Sequence, residues 1–256
     1  MPPPTVTTPV LRVMTYNVHG CVGTDARLDE GRIADVIAAF SPDVVALQEL
    51  DVERARSRNL DQARHLAEHL KMDFHFHPAL SLLSEHYGDA ILSRVPMTLV
   101  KKGILPTTAS RLAFEPRGAL LVRLEVAGLP VFLLNTHLGL SWSERLVQAH
   151  ALLGDDWMGE AVGSRPFILC GDFNALPASL VYRTFRRRLS DVQRWTLRTR
   201  PQATFPAGCP MIRLDYIFIN AGLRVAGVQV PRTRETRVAS DHLPLIVDLA
   251  LVPQDV

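Results

Sequence analysis

Only three cysteines occur in 256 residues, Cys21, Cys170 and Cys209. An odd number without paired metal-ligand spacing excludes a disulfide framework and a structural zinc centre. Reduced thiols follow, and with them a cytoplasmic setting. Cys170 sits in an apolar run and reads as a small buried hydrophobe. No apolar stretch approaches the roughly 18 residues of a helical membrane span. No Pro/Gly/Ser-rich linker divides the chain, so residues 10–252 read as a single domain. Residues 1–9 lack the basic start and apolar core of a secretory signal and read as a flexible lead-in. A net charge of +2 is too small to announce a polyanionic partner. With 47% hydrophobic and 21% charged residues, the composition is that of a globular protein with a sizeable core.

What is present is a recurring pattern in which an apolar run ends in polar residues. The stretch Phe167-Ile168-Leu169-Cys170-Gly171-Asp172-Phe173-Asn174 states it most fully. An Asp at a strand end can orient or deprotonate a water, and an Asn two residues on points to the same side and can donate to a phosphoryl oxygen. Asp and Asn are also ordinary turn residues, so this run alone decides nothing. Residues 11–16 lead into Asn17, Val18 and His19, and residues 43–47 lead into Gln48 and Glu49. Residues 131–134 end in Asn135, Thr136 and His137, Asp215 lies inside the run 213–218, and Ser240, Asp241 and His242 precede the run 243–247. One site accounts for all of these, where a purely structural account needs a separate coincidence for each.

Periodicity of 3.6 predicts helices over 28–40, 59–70, 143–157 and 178–188, with Ser141 or Ser143 as caps of the third. Short β-rich runs predict strands over 90–92, 98–100, 119–126, 131–135, 167–170, 216–219 and 245–249. Strands with helices between and outside them suggest two packed sheets flanked by helices.

The motifs Thr15-Tyr16-Asn17, Leu47-Gln48-Glu49, Asn135-Thr136-His137, Gly171-Asp172-Phe173-Asn174, Leu214-Asp215-Tyr216 and Ser240-Asp241-His242 cover nearly the whole chain. In order and spacing they resemble those of the endonuclease/exonuclease/phosphatase superfamily of metal-dependent phosphoesterases. The resemblance implies an α/β fold, the four-layer α/β/β/α sandwich with two mostly antiparallel sheets packed face to face and helices outside. It also implies an active site gathered at one end.

Phosphoester hydrolysis needs a water in line with the leaving oxygen, neutralised equatorial oxygens and a stabilised alkoxide. Glu49, with Asn17 and Asp241 near it, is read as the shell of Mg²⁺ or Mn²⁺, because Mg²⁺ prefers few carboxylates plus waters and substrate oxygens. Asp172 is read as activating or orienting the water, and Asn174 as holding the phosphoryl group. His242, oriented by Asp215, is a base or a cationic phosphate contact. His137 is assigned to phosphate binding or leaving-group protonation. Arg117 resembles the phosphate-contacting Arg of the deoxyribonuclease-like branch, a task suited to a planar bidentate donor. Tyr87 is either a tyrosine set against the phosphate or half of a Tyr-Gly turn, and Glu85 and His86 beside it invite a substrate-loop role. Asp51 stands where the deoxyribonuclease branch has an Arg, and an acid there opposes DNA binding. Arg183, Arg186, Arg187, Arg188, Arg194, Arg198 and Arg200 cluster, as do Arg232, Arg234 and Arg237. They read as solvated surface, with a phosphate-rich ligand or an anionic membrane as the alternative.

The expected function is hydrolysis of a phosphodiester or phosphomonoester of a small or lipid-borne substrate by a divalent-metal-dependent enzyme. A nuclease is the alternative, which leaves nucleic acid open as a partner but unfavoured. A non-catalytic binding module is disfavoured by the joint presence of Glu49, His137, Asp172, Asn174, Asp215, Asp241 and His242.

Overall fold

The structure is a computed structural model that describes residues 10–108, 115–159, 165–195 and 200–252. The lead-in, residues 1–9, and Arg198 lie outside the described residues.

Two six-stranded sheets form the centre. The first is built from β1 (Val10–Asn17), β2 (Val44–Val52), β3 (Asp73–Leu82), β4 (Glu85–Ser93), β11 (Leu223–Gln229) and β12 (Leu245–Leu251), in the order β11-β12-β1-β2-β4-β3. The second contains β5 (Met97–Ile104), β6 (Gly118–Val126), β7 (Leu129–His137), β8 (Phe167–Asp172), β9 (Ser190–Asp191) and β10 (Asp215–Ile219), in the order β5-β6-β7-β8-β10-β9. Pairing is antiparallel except between β1 and β2 and between β7 and β8.

Side chains alternate across a strand, so a strand buried on both faces feeds two cores at once. Val44 and Ala46 of β2, Ile168 and Cys170 of β8, and Leu245, Val247 and Leu249 of β12 face the other sheet and share one core. Val45 and Leu47 of β2 and Ile246 of β12 face away, toward α1 (Glu30–Phe40) and α2 (Gln62–Leu70). Phe167 and Leu169 of β8 face away on the other side, toward α3 (Trp142–Leu153) and α4 (Leu180–Arg186). Three stacked cores make four layers, as the motifs implied. A fifth helix, α5 (Arg234–Ala239), adds Ala239 to the core of the first pair.

Helix starts follow capping chemistry. Asp29 and Asp61 accept from the amides of Arg32 and Arg64, which sets α1 and α2 to begin two or three residues later than periodicity alone suggested. Ser141 occupies the cap position of α3 without a side-chain capping bond, and Gly154 ends that helix before Trp157. The strands not anticipated are chiefly β3 and β11, the two edges of the first sheet. Edge strands are partly exposed and carry mixed patterns. Pro78 of β3 lies at a register shift, as a residue without an N–H must. Tyr87 and Gly88 lie inside β4, not in a turn; the reversal is made at Leu83, whose φ is 55°.

This topology brings the polar strand ends together. β1 and β2 run in parallel and deliver Asn17 at the end of β1 and Glu49 at the bulge beside it in β2, as β7 and β8 deliver His137 and Asp172 at their ends. β10 is antiparallel to β8, so its first residue, Asp215, sits beside Asp172. Gly171 has a φ of 140°, and a Cβ there would lie 1.8 Å from the carbonyl oxygen of Thr136 in the neighbouring strand. Gly171→Ala should therefore cost about 3 kcal/mol or more. Urea unfolding measures it, and a loss below 1 kcal/mol would show that β7 and β8 separate freely at this point.

Candidate active site

A cavity of about 610 Å³ opens at this end of the sandwich, lined among others by His19, Glu49, Arg56, Tyr87, Arg117, His137, Asp172, Asn174 and His242. Its floor joins the two sheets. The side-chain nitrogen of Asn17 donates to Glu49 Oε1 at 2.9 Å and to Asp172 Oδ2 at 3.1 Å, and its oxygen accepts from the His19 amide at 3.0 Å. Just behind, Gln48 donates to Asn135 Oδ1 at 2.7 Å, and Asn135 donates to the carbonyls of Leu47 and Ala90.

Glu49 reaches the cavity because β2 breaks register with β4 between Leu47 and Leu50, and Glu49 takes a left-handed φ of 63°. For a residue with a Cβ that conformation costs on the order of 1 kcal/mol. Asp89 on β4 faces the Glu49 amide and Arg117, and burial pushes its carboxyl up to about 8 while those two partners pull the other way. The sequence reading assigned Asp89 nothing. The signal the sequence offers is an acid directly before the apolar run Ala90-Ile91-Leu92.

His137 is wedged between donors. Arg117 Nη1 lies 3.2 Å from its Nδ1, and the side-chain nitrogen of Asn174 lies 3.0 Å from its Nε2. Burial, then Arg117 and His242, hold the ring well below the usual histidine range. A protonated ring would aim an N–H at each of two donors, so the surroundings favour the neutral form. Its Nε2 is 3.5 Å from Asp172 Oδ2 and 3.9 Å from Glu49 Oε1.

His242 is the opposite case. Burial alone would lower its pKa, but the Asp215 and Asp172 carboxylates outweigh burial and raise it to about 10. Nδ1 lies 2.9 Å from Asp215 Oδ2, and Nε2 faces Asp172 Oδ2 at 3.7 Å. Burial, opposed by the charge of His242, raises Asp172. The Asn174 amide donates to Asp172 Oδ1 at 2.9 Å. Asn174 does not extend β8; with a φ of 48° it turns its side chain back toward His137 and the Leu138 carbonyl.

Two triads therefore share Asp172: Glu49, His137 and Asp172, and Asp172, Asp215 and His242, each offering ligand atoms within 4.8 Å of one another. Carboxylate oxygens beside a neutral imidazole suit a hard or borderline divalent cation. Among the described residues Asp241 belongs to neither triad; its Oδ1 is 4.0 Å from His19 Nδ1.

Elsewhere the expectations change. Asp51 does not confront the substrate as a free acid: it is 1% exposed, and Arg56 donates to it through Nε at 2.7 Å and Nη2 at 2.8 Å. The guanidinium carbons of Arg54 and Arg56 sit 5.5 and 5.4 Å from the Tyr87 ring centre. Glu85 accepts from the Ala55 amide and His86 contacts Ser81, so neither lines the cavity. Arg183, Arg186, Arg187 and Arg188 are exposed on or beside α4 and do not line it either. Buried Cys170 bears out its reading as a core residue.

Residues 14–242 match the Endonuclease/Exonuclease/phosphatase family, and the chain belongs to it. The Escherichia coli (strain K12) protein YbhP, itself uncharacterized, is 27% identical over 250 residues, which cover 94% of this chain and 96% of that one. A family structure from Beutenbergia cavernae is 26% identical with a TM-score of 0.72, covering 95% of this chain and 72% of the other. A mannosyl-6-phosphatase of Bacteroides thetaiotaomicron, 22% identical with a TM-score of 0.76, shares the fold over 94% of this chain and 100% of its own.

Unfolded, His242 would titrate near 6.5 and Asp89 near 3.8. In metal-free protein the folded state retains both protons above those values. Stability therefore falls as pH rises, through about 8 for Asp89 and about 10 for His242. Asp215→Asn should lower stability near pH 7 and flatten the fall between pH 8 and 10, as read by urea unfolding in EDTA. An unchanged slope would mean that Asp215 does not hold the proton on His242.

Proposed function

We propose that the chain is a divalent-metal-dependent phosphoesterase acting on a small or lipid-borne phosphodiester or phosphomonoester. The observation that carries this reading is the convergence on Asp172 of a Glu49–His137 pair and an Asp215–His242 pair. Family membership supports the reaction class. A 610 Å³ cavity suits a small molecule or a headgroup.

Glu49 and Asp172 are the anionic ligands the site offers to Mg²⁺ or Mn²⁺, with His137 and Asn17 against them. Asp241 is the more distant acid, reaching the site by way of His19. A divalent cation held there supplies positive charge to the phosphoryl oxygens and acidifies water.

The chain's own groups do the rest. Asp172, once ionised, accepts a proton from the attacking water or fixes its lone pair in line. His242, kept cationic by Asp215, aims Nε2 into the cavity as a charged donor to a phosphoryl oxygen. His137 serves as a neutral hydrogen-bonding group at the phosphoryl or leaving oxygen. Arg117 is 6% exposed and its Nε has no protein partner among the described residues, which leaves it a donor for the same phosphoryl group. Asn174 holds His137 and the phosphoryl group in place.

A nuclease remains the second reading, since Asp51 no longer argues against it. The exposed arginines of α4 lie outside the cavity, which is why the small substrate is preferred. We further propose one domain over residues 10–252, because site residues from 17 to 242 rest on common cores, and a reducing, cytoplasmic setting for its free thiols. Among the described residues no helix is long and apolar enough to cross a membrane.

Purified protein with Mg²⁺ or Mn²⁺, assayed on bis(4-nitrophenyl) phosphate, 4-nitrophenyl phosphate, plasmid DNA and phospholipids, tests the reading. Turnover of an ester is expected, with slow or absent nicking of plasmid. Glu49→Gln should abolish metal-dependent turnover with the fold intact, while Asp172→Asn and His242→Ala should each cost on the order of 10² in kcat. Rapid plasmid nicking that is lost on neutralising Arg186, Arg187 and Arg188 would instead select the nuclease.

A further inference from the structure

We infer that Arg56 is a built receptor for a second anionic group on the substrate, so that the site takes phosphoesters carrying another phosphate beside the reacting one. The inference rests on the phosphoesterase reading above and specifies its substrate class.

Arg56 stands in the cavity wall yet touches none of Asn17, His137, Asp172 or His242. A guanidinium has two edges able to grip an anion in bidentate fashion. Asp51 takes the Nε–Nη2 edge at 2.7 and 2.8 Å. Nη1, and with it the second N–H of Nη2, has no protein hydrogen-bond partner among the described residues, and the side chain is 55% exposed. Tyr87, 5% exposed, supports the cation on its face.

Arg54 does not share this freedom. It spans Asp51 Oδ1 at 3.4 Å and Glu85 Oε2 at 3.7 Å. A structural ion pair for the buried Asp51 would need only one arginine with its far end in solvent or against protein. Here two cations surround one buried carboxylate, and the one with an open end faces the cavity. Glu115 also lines the wall, 3.4 Å from Arg117 Nη1, and its charge acts on Arg56 as well without a hydrogen bond to it.

The anchoring has a binding consequence. Asp51 and Tyr87 hold the Arg56 side chain before any ligand arrives, so its rotamer freedom is not lost on binding. A phosphate dianion fits the open end with two parallel N–H donors. The pole made by Arg117, His137 and His242 takes the reacting phosphoryl group, and Arg56 takes the other.

Calorimetry in EDTA should show thymidine 3′,5′-bisphosphate binding about tenfold or more tighter than thymidine 5′-monophosphate. Arg56→Ala and Arg56→Gln should erase the difference, and Asp51→Asn should reduce it by freeing the arginine. With metal, thymidine 3′-phosphate 5′-(4-nitrophenyl phosphate) should show a lower KM than thymidine 5′-(4-nitrophenyl phosphate), and Arg56→Ala should remove that advantage. Equal binding of the two nucleotides by the wild-type protein, or an advantage that survives Arg56→Ala, overturns the inference. Sedimentation with phosphatidylserine vesicles that depends on Arg56, without a nucleotide advantage, assigns the anion to a lipid surface and overturns it too. If neither chromogenic nucleotide is turned over while the binding difference persists and needs Arg56, the receptor stands and the phosphoesterase reading falls.

Discussion

One amide nitrogen, that of Asn17, donates to a carboxylate from each sheet, Glu49 on one side and Asp172 on the other. The remainder of the site depends on that contact. Two apolar sheets packed face to face can slide on one another with little change in buried area, since aliphatic contacts have no direction. Directional bonds between the sheets remove that freedom. Gln48 and Asn135 repeat the device one step deeper, where Gln48 also donates to Thr15 Oγ1. The polar seam thus fixes the relative position of the sheets at the end where chemistry is proposed, while the apolar core behind it supplies the stability.

The seam also creates an electrostatic problem. Glu49, Asp172 and Asp215 approach one another in a place where water is scarce, and like charges in such a place cannot all ionise without compensation. His242 provides part of it. What is left shows in Asp172, which burial still holds above the ordinary carboxylate range. A site with unspent anionic capacity around two sharing triads is one that gains by accepting a cation, and its strain at Glu49 is consistent with a ligand positioned ahead of binding.

The sequence revealed the centre of this site and hid its walls, for physical reasons. Strand ends are legible, because a continuous apolar run that gives way to polar residues at Asp172 or at Gln48 and Glu49 can be read without any tertiary knowledge. Parallel pairs then bring those ends together by topology alone. Asn174 reached the expected place by another route, through a left-handed turn and not by strand alternation. The edge strands β3 and β11 were hidden because a register shift interrupts each, between Pro78 and Leu80 and between Val225 and Gly227, and Pro78 reads as a breaker. Asp51 was misjudged because a charge in a sequence carries no sign of its partner: it stands five positions before Arg56, and only the short turn after β2 folds the arginine back onto it.

That turn shows how one scaffold can change substrates while keeping its chemistry. The residues converging on Asp172 lie on central strands or, for His242, just before one, where a shift would propagate through the packed cores. Arg56 and Ser57 instead belong to a short 3₁₀ turn between β2 and α2. Its attachment to the wall is made through Asp51, Tyr87 and Glu85, so it can vary in length and charge without disturbing Asn17 or Asp172. On the proposed assignment, reaction type and substrate choice would be carried by different parts of the molecule, joined at the bulge of β2 that carries Glu49 inward and Asp51 beneath the arginines. A change confined to the turn should alter which esters bind before it alters how they are cleaved.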